Sequence, residues 1–107
     1  MGQPRVEILY TEDCPNRERA CELVVQLAER LGRHPDIELV EVADDAAAVR
    51  LRFLGSPSIR IDGRDVEPGA DDRTEFALAC RIYRTAHGVT GLPDEAWIRA
   101  ALVVKRT

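Results

Sequence analysis

Three cysteines and two histidines hold most of the nucleophilic and metal-binding capacity of this 107-residue sequence. Cys14 has the surroundings of a reactive thiol. It follows the apolar run "VEILY" and directly precedes Pro15 and a segment of helical periodicity. A thiol at a helix start faces unpaired backbone N–H groups and the positive end of the helix dipole. Both favour the thiolate, the form that attacks disulfides and binds soft metals. Arg17, about one helical turn on, would add positive charge, while the adjacent Glu12 and Asp13 oppose it. Arg17 also stands where a second cysteine would complete Cys-x-x-Cys, so the motif reads Cys14-Pro15-Asn16-Arg17.

Cys21 falls about two helical turns after Cys14, beside Val24 and Ala28, and reads as a core cysteine, since free cysteine is among the most buried residue types. Cys80, in "ALACRIYR", has two readings of equal weight. It is a core strand residue, or a second thiol facing Cys14 in place of the missing member of Cys-x-x-Cys. A disulfide requires Cα atoms within about 7 Å, and its place on the strand allows either. Arg81 and Arg84 read as solvated charges or partners of Asp71, Asp72 and Glu75, with an anion-binding patch near the thiol as the functional alternative. His34 precedes Pro35 in a turn, and His87 lies in a glycine-flanked loop. No ligand pair has zinc-site spacing, so neither a metal nor a cofactor is expected.

Positioning Cys14 requires a strand before it and a helix after it. Residues 5–10, "RVEILY", read as a strand buried on both sides. Ala20, Leu23, Val24, Leu27, Ala28 and Leu31 then recur at three- and four-residue spacing, one face of a helix with Pro15 at its first position and Gly32 at its stop. "DIELVEV" is a second strand. Asp44 or Asp45 caps a short helix over 46–54, with Ala46, Val49 and Phe53 inward. "SPSIRIDG" is a third strand whose "DG" opens a turn. Residues 63–76 form a polar loop and 77–84 a fourth strand. A last helix covers 93–105, with Asp94 and Glu95 in its first turn and Trp97, Ile98, Ala101 and Leu102 inward. The order β-α-β-α-β-β-α predicts an α/β domain with a four-stranded mixed sheet and three helices on its two faces. Its first two strands are parallel and its last two antiparallel.

A net charge of −4 argues against a nucleic-acid-binding face. No apolar run approaches the roughly 20 residues of a membrane span, and the N-terminus lacks an apolar signal core. An odd number of cysteines without an export signal points to reduced thiols and a cytoplasmic location.

The strand–Cys14-Pro15–helix unit, followed by Ser56-Pro57-Ser58 at the head of a later strand, resembles the thioredoxin fold across nearly the whole chain. It is also similar to short bacterial thioredoxin-like proteins with "GSPS", "DGRD" and "CRIYR" segments, some of which carry an alkylmercury lyase label. The resemblance implies a single thioredoxin-like domain over 1–107, with Cys14 as nucleophile and a cis Pro57 beside it. Pro15, Ser56, Pro57 and Ser58 would contact substrate, and Arg17 and Cys80 would assist the thiol. With Arg17 in the place of the resolving cysteine, the implied activity is monothiol exchange with a small thiol or protein disulfide. A homodimer is allowed, with no nucleic-acid or membrane partner. The alternatives are handling of mercury or organomercurials by Cys14, Cys80 and Asp13, and a non-enzymatic binding module.

Overall fold

The computed structural model describes residues 3–103. Strand β1 (Arg5–Tyr10) leads to helix α1 (Arg17–Arg30), β2 (Asp36–Glu41), α2 (Asp45–Arg50), β3 (Ser58–Ile61) and β4 (Arg64–Asp65). A single 3-10 turn (Ala70–Asp72) precedes the β5 (Tyr83–Thr85) and β6 (Gly88–Thr90) pair, and α3 (Glu95–Val103) follows. The main sheet has four strands in the order β2-β1-β3-β4. β1 runs parallel to β2 and antiparallel to β3, and β3 is antiparallel to β4. The mixed α/β class and the parallel β1–β2 pair thus agree with the sequence reading.

The alternation along β1 sorts the core into two layers. Val6 and Ile8 pack with Ala20, Val24, Leu27 and Ala28 of α1 and with Ile98 and Leu102 of α3. Leu9 joins Val42, Ala47, Ala48 and Phe53 in a second cluster that contains α2. The sequence reading misses the phase of α2: Ala47 and Ala48 are buried, whereas Val49 is 61% exposed. The helix is six residues long, too short for periodicity to fix its inward face. Asp44 caps it, its carboxylate accepting from the Ala47 N–H at 2.8 Å.

Helix α1 stops in a Schellman arrangement. Gly32 adopts φ +68°, Arg33 N–H donates to the Ala28 carbonyl and Gly32 N–H to that of Glu29. At the other end it opens at Arg17 with Asn16 as N-cap, two residues later than the Pro15 start expected. The expected end of α3 at Val104 and Lys105 lies outside the described residues.

The fourth strand is a correction. Residues 77–82 form no extended strand, and β4 comes instead from the stretch read as loop. Asp62 and Gly63 adopt φ values of +53° and +86°, which fits the two-residue hairpin turn suited to strand twist. That turn folds Arg64–Asp65 directly onto the free edge of β3, so the edge is taken before residue 77 is reached. Tyr83–Thr85 pairs with Gly88–Thr90 in a separate hairpin.

Candidate thiol site

Cys14 closes a turn beyond the end of β1, its N–H donating to the Thr11 carbonyl at 3.0 Å. It is half-buried, Pro15 is exposed, and α1 begins three residues later at Arg17. Cys14 therefore stands in the turn ahead of the helix, two residues before its N-cap Asn16, rather than at the cap expected. Thr11, which starts that turn, donates its N–H to Ser56 Oγ at 3.1 Å. This bond ties the Cys14 turn to the loop before β3.

Within that loop the Ser56–Pro57 peptide is cis. Ser56 is 2% exposed and Ser58 0%, and Pro57 is among the fully buried side chains. Their polar groups are already committed. Ser58 Oγ donates to the Gly55 carbonyl at 2.6 Å and accepts from Arg81 Nη1 at 2.9 Å. Ser56 N–H donates to the Ala79 carbonyl at 2.8 Å, and Arg81 N–H donates to the Ser56 carbonyl at 2.9 Å. The hydroxyls expected to meet a substrate are thus satisfied inside the protein, and the loop forms a floor covered by residues 79–81. The contact is close: a Cβ on Gly55, whose φ is +126°, would fall 2.9 Å from Arg81 Cβ.

Arg81 overturns its expected surface role. It is 3% exposed. Its Nη1 and Nη2 grip the Asp65 carboxylate at 2.6 and 3.1 Å, and Nη2 reaches Glu67 Oε1 at 2.6 Å. Asp71 and Glu75, the partners first assigned, pair instead with Arg64 and Arg73. Burial alone would depress the Arg81 pKa, but the Asp65 hydrogen bonds and charge and the Glu67 hydrogen bond raise it above its ordinary value. Arg81 stays charged. Its guanidinium lies 4.4 Å over the Tyr83 ring. Tyr83 is fully buried and donates its hydroxyl to the Pro57 carbonyl at 2.6 Å. Burial pushes its pKa up, so the phenol keeps its proton as a donor. Sequence reasoning missed this cluster because its members come from three separate segments. No local pattern in "CRIYR" signals it.

Cys80 is exposed, whereas Cys21 is half-buried and packs against the core cluster of α1. Cys80 pairs with Ser56 through an isolated bridge. It lines a depression of about 350 Å³ together with Thr11, Glu12, Asp13 and Glu41. Arg17 is turned to Tyr10, its guanidinium 4.8 Å from the ring centroid, and lines a separate cleft with Cys21 and Leu39. Stabilisation of the Cys14 thiolate by Arg17 has no support from that placement. Gly91, just after β6, packs against the Asn16 side chain, bringing the hairpin to the helix start. His34 and His87 are exposed. Among the described residues no three His, Cys, Asp or Glu side chains are grouped to hold a metal ion, and no helix is long and apolar enough to cross a membrane. No protein-family model matches the chain, and no curated protein matches it.

Proposed function

We propose that the chain is a thioredoxin-like protein in which Cys14 performs thiol–disulfide exchange. The hydrogen bond from Thr11 N–H to Ser56 Oγ carries this reading. It sets a half-buried cysteine on a turn braced against a proline loop at the end of the central strand β1. The Cys14 thiolate attacks one sulfur of a small-molecule or protein disulfide. A bond forms between Cys14 Sγ and that sulfur, the old disulfide bond breaks, and the second sulfur leaves as a thiolate. A cytoplasmic setting would keep the protein thiols reduced between turnovers.

Incubating the reduced protein with glutathione disulfide and mapping adducts by mass spectrometry tests the reading. Cys14 is expected to acquire glutathione, transiently or lastingly, and to do so faster than Cys21, which packs against the core. Modification of Cys21 at an equal or greater rate, or none at Cys14, would refute it.

A further inference from the structure

We infer that Cys80 is the resolving thiol for Cys14, so that the site works as a two-cysteine pair drawn from distant parts of the chain. This rests on the reading of Cys14 as nucleophile.

Ser56 anchors both thiol-bearing segments. Its hydroxyl holds Thr11, and Thr11 holds the N–H of Cys14. Its own N–H and carbonyl hold Ala79 and Arg81 on either side of Cys80. The space over the proline loop is therefore occupied by the protein's own cysteine-bearing segment. Arg81 acts as the post for that segment, with four hydrogen bonds from its guanidinium to Ser58, Asp65 and Glu67. Successive side chains on extended backbone point to opposite sides, so the buried Arg81 leaves Cys80 turned outward. It is exposed, and it lines the same depression as Asp13, the neighbour of Cys14. Upstream, residues 74–79 belong to no helix or strand. A Cys14–Cys80 disulfide requires their Cα atoms within about 7 Å, so the pairing calls for a shift of this segment that releases the Ala79 carbonyl from Ser56 N–H.

The chemistry balances with a disulfide as oxidant. Cys14 attacks glutathione disulfide and releases one glutathione thiolate. The Cys80 thiolate then attacks Cys14 Sγ, forming the Cys14–Cys80 bond and expelling the second glutathione. Two protein thiols are oxidised and one glutathione disulfide is reduced to two thiols.

The experiment follows the Cys14–glutathione adduct in the native chain and in Cys80→Ser, an exposed position where the change leaves packing intact. In the native chain the adduct should be short-lived and give way to a Cys14–Cys80 disulfide seen in non-reducing peptide maps. In Cys80→Ser it should persist at least about tenfold longer, with one glutathione released per Cys14 modified instead of two. Equal adduct lifetimes in the two proteins, or an internal disulfide through Cys21, would overturn the inference while leaving Cys14 as nucleophile. Absence of any Cys14 adduct in Cys80→Ser would overturn both.

Discussion

Arg81 has the most to say about how single residues make this site. A buried guanidinium is tolerated only where carboxylates replace its lost hydration, and Asp65 and Glu67 do so with side chains 8% and 17% exposed. Removing one member of such a cluster leaves the others charged and poorly solvated, which typically costs about 3–5 kcal/mol. Arg81→Met should therefore lower the unfolding free energy by roughly 3 kcal/mol, the lower end of that range, because Glu67 keeps some access to water and pairs with Arg73. Urea denaturation measures it. A loss below about 1 kcal/mol, the range of surface pairs, would mean that the cluster is hydrated and does not hold the Pro57 loop. Cys14 illustrates the complementary case of a residue placed through backbone N–H donors, its own to the Thr11 carbonyl and that of Thr11 to Ser56 Oγ.

Local chemistry made most elements legible and left their partners obscure. Gly32 after an apolar helical stripe, Asp44 before Ala47 and the Asp62-Gly63 pair each acted as their residue types predict, since capping and turn formation depend on near neighbours. The use of 77–84 was not legible. Leu78, Cys80 and Ile82 alternate as a strand's inward face would, yet Arg81 and Tyr83 are the buried positions. Their inward turn depends on carboxylates 16 and 14 residues away, which no local pattern announces. The site residues divide the same way: the thiol and the proline could be named from the chain, but not the strand that covers the loop. Asp94 provides an element-scale test at the start of α3. It accepts from Ala96 N–H at 2.8 Å and from Ala86 N–H at 3.3 Å, joining the β5–β6 turn to the helix. The Ala96 hydrogen bond, with smaller contributions from Ala86, His87 and Arg99, holds its carboxyl below the ordinary 3.8. A depressed folded pKa gives stability that is present above the unfolded value and lost as pH falls through the folded one. Asp94→Ala should therefore melt at a lower temperature than the parent at pH 7. The gap should close as pH drops below 3.8. A gap unchanged down to about pH 2, well below ordinary carboxyl values, would show that the carboxylate charge plays no part in the cap.

At the scale of the whole molecule, stability is concentrated in the sheet and thins out toward the segment that carries Cys80. β1 is paired on both sides and packed above and below by separate apolar clusters. Its amides can exchange only through openings that approach global unfolding, on the order of 5–15 kcal/mol for a domain. Residues 74–79 lack regular secondary structure, and Cys80 has only its isolated bridge to Ser56. Phe76 and Ala77 donate to Thr74 and Phe53, but the amides of Leu78, Ala79 and Cys80 donate to no protein acceptor among the described residues. Arg81 marks the boundary, because its N–H is bonded to Ser56 and its side chain is locked. Hydrogen exchange should accordingly be slowest across Val6–Leu9 and Val24–Ala28, fastest at Leu78–Cys80, and sharply slower again at Arg81. In Arg81→Lys, which keeps the charge but loses the two-pronged grip on Asp65, exchange should quicken at Arg81's position and Tyr83 while β1 changes far less. This gradient is also what a resolving cysteine needs: a thiol on a segment that opens more readily than the sheet and returns to the fixed post of Arg81. Slow, uniform exchange from 74 to 81 would remove the mobility on which the Cys14–Cys80 pairing depends.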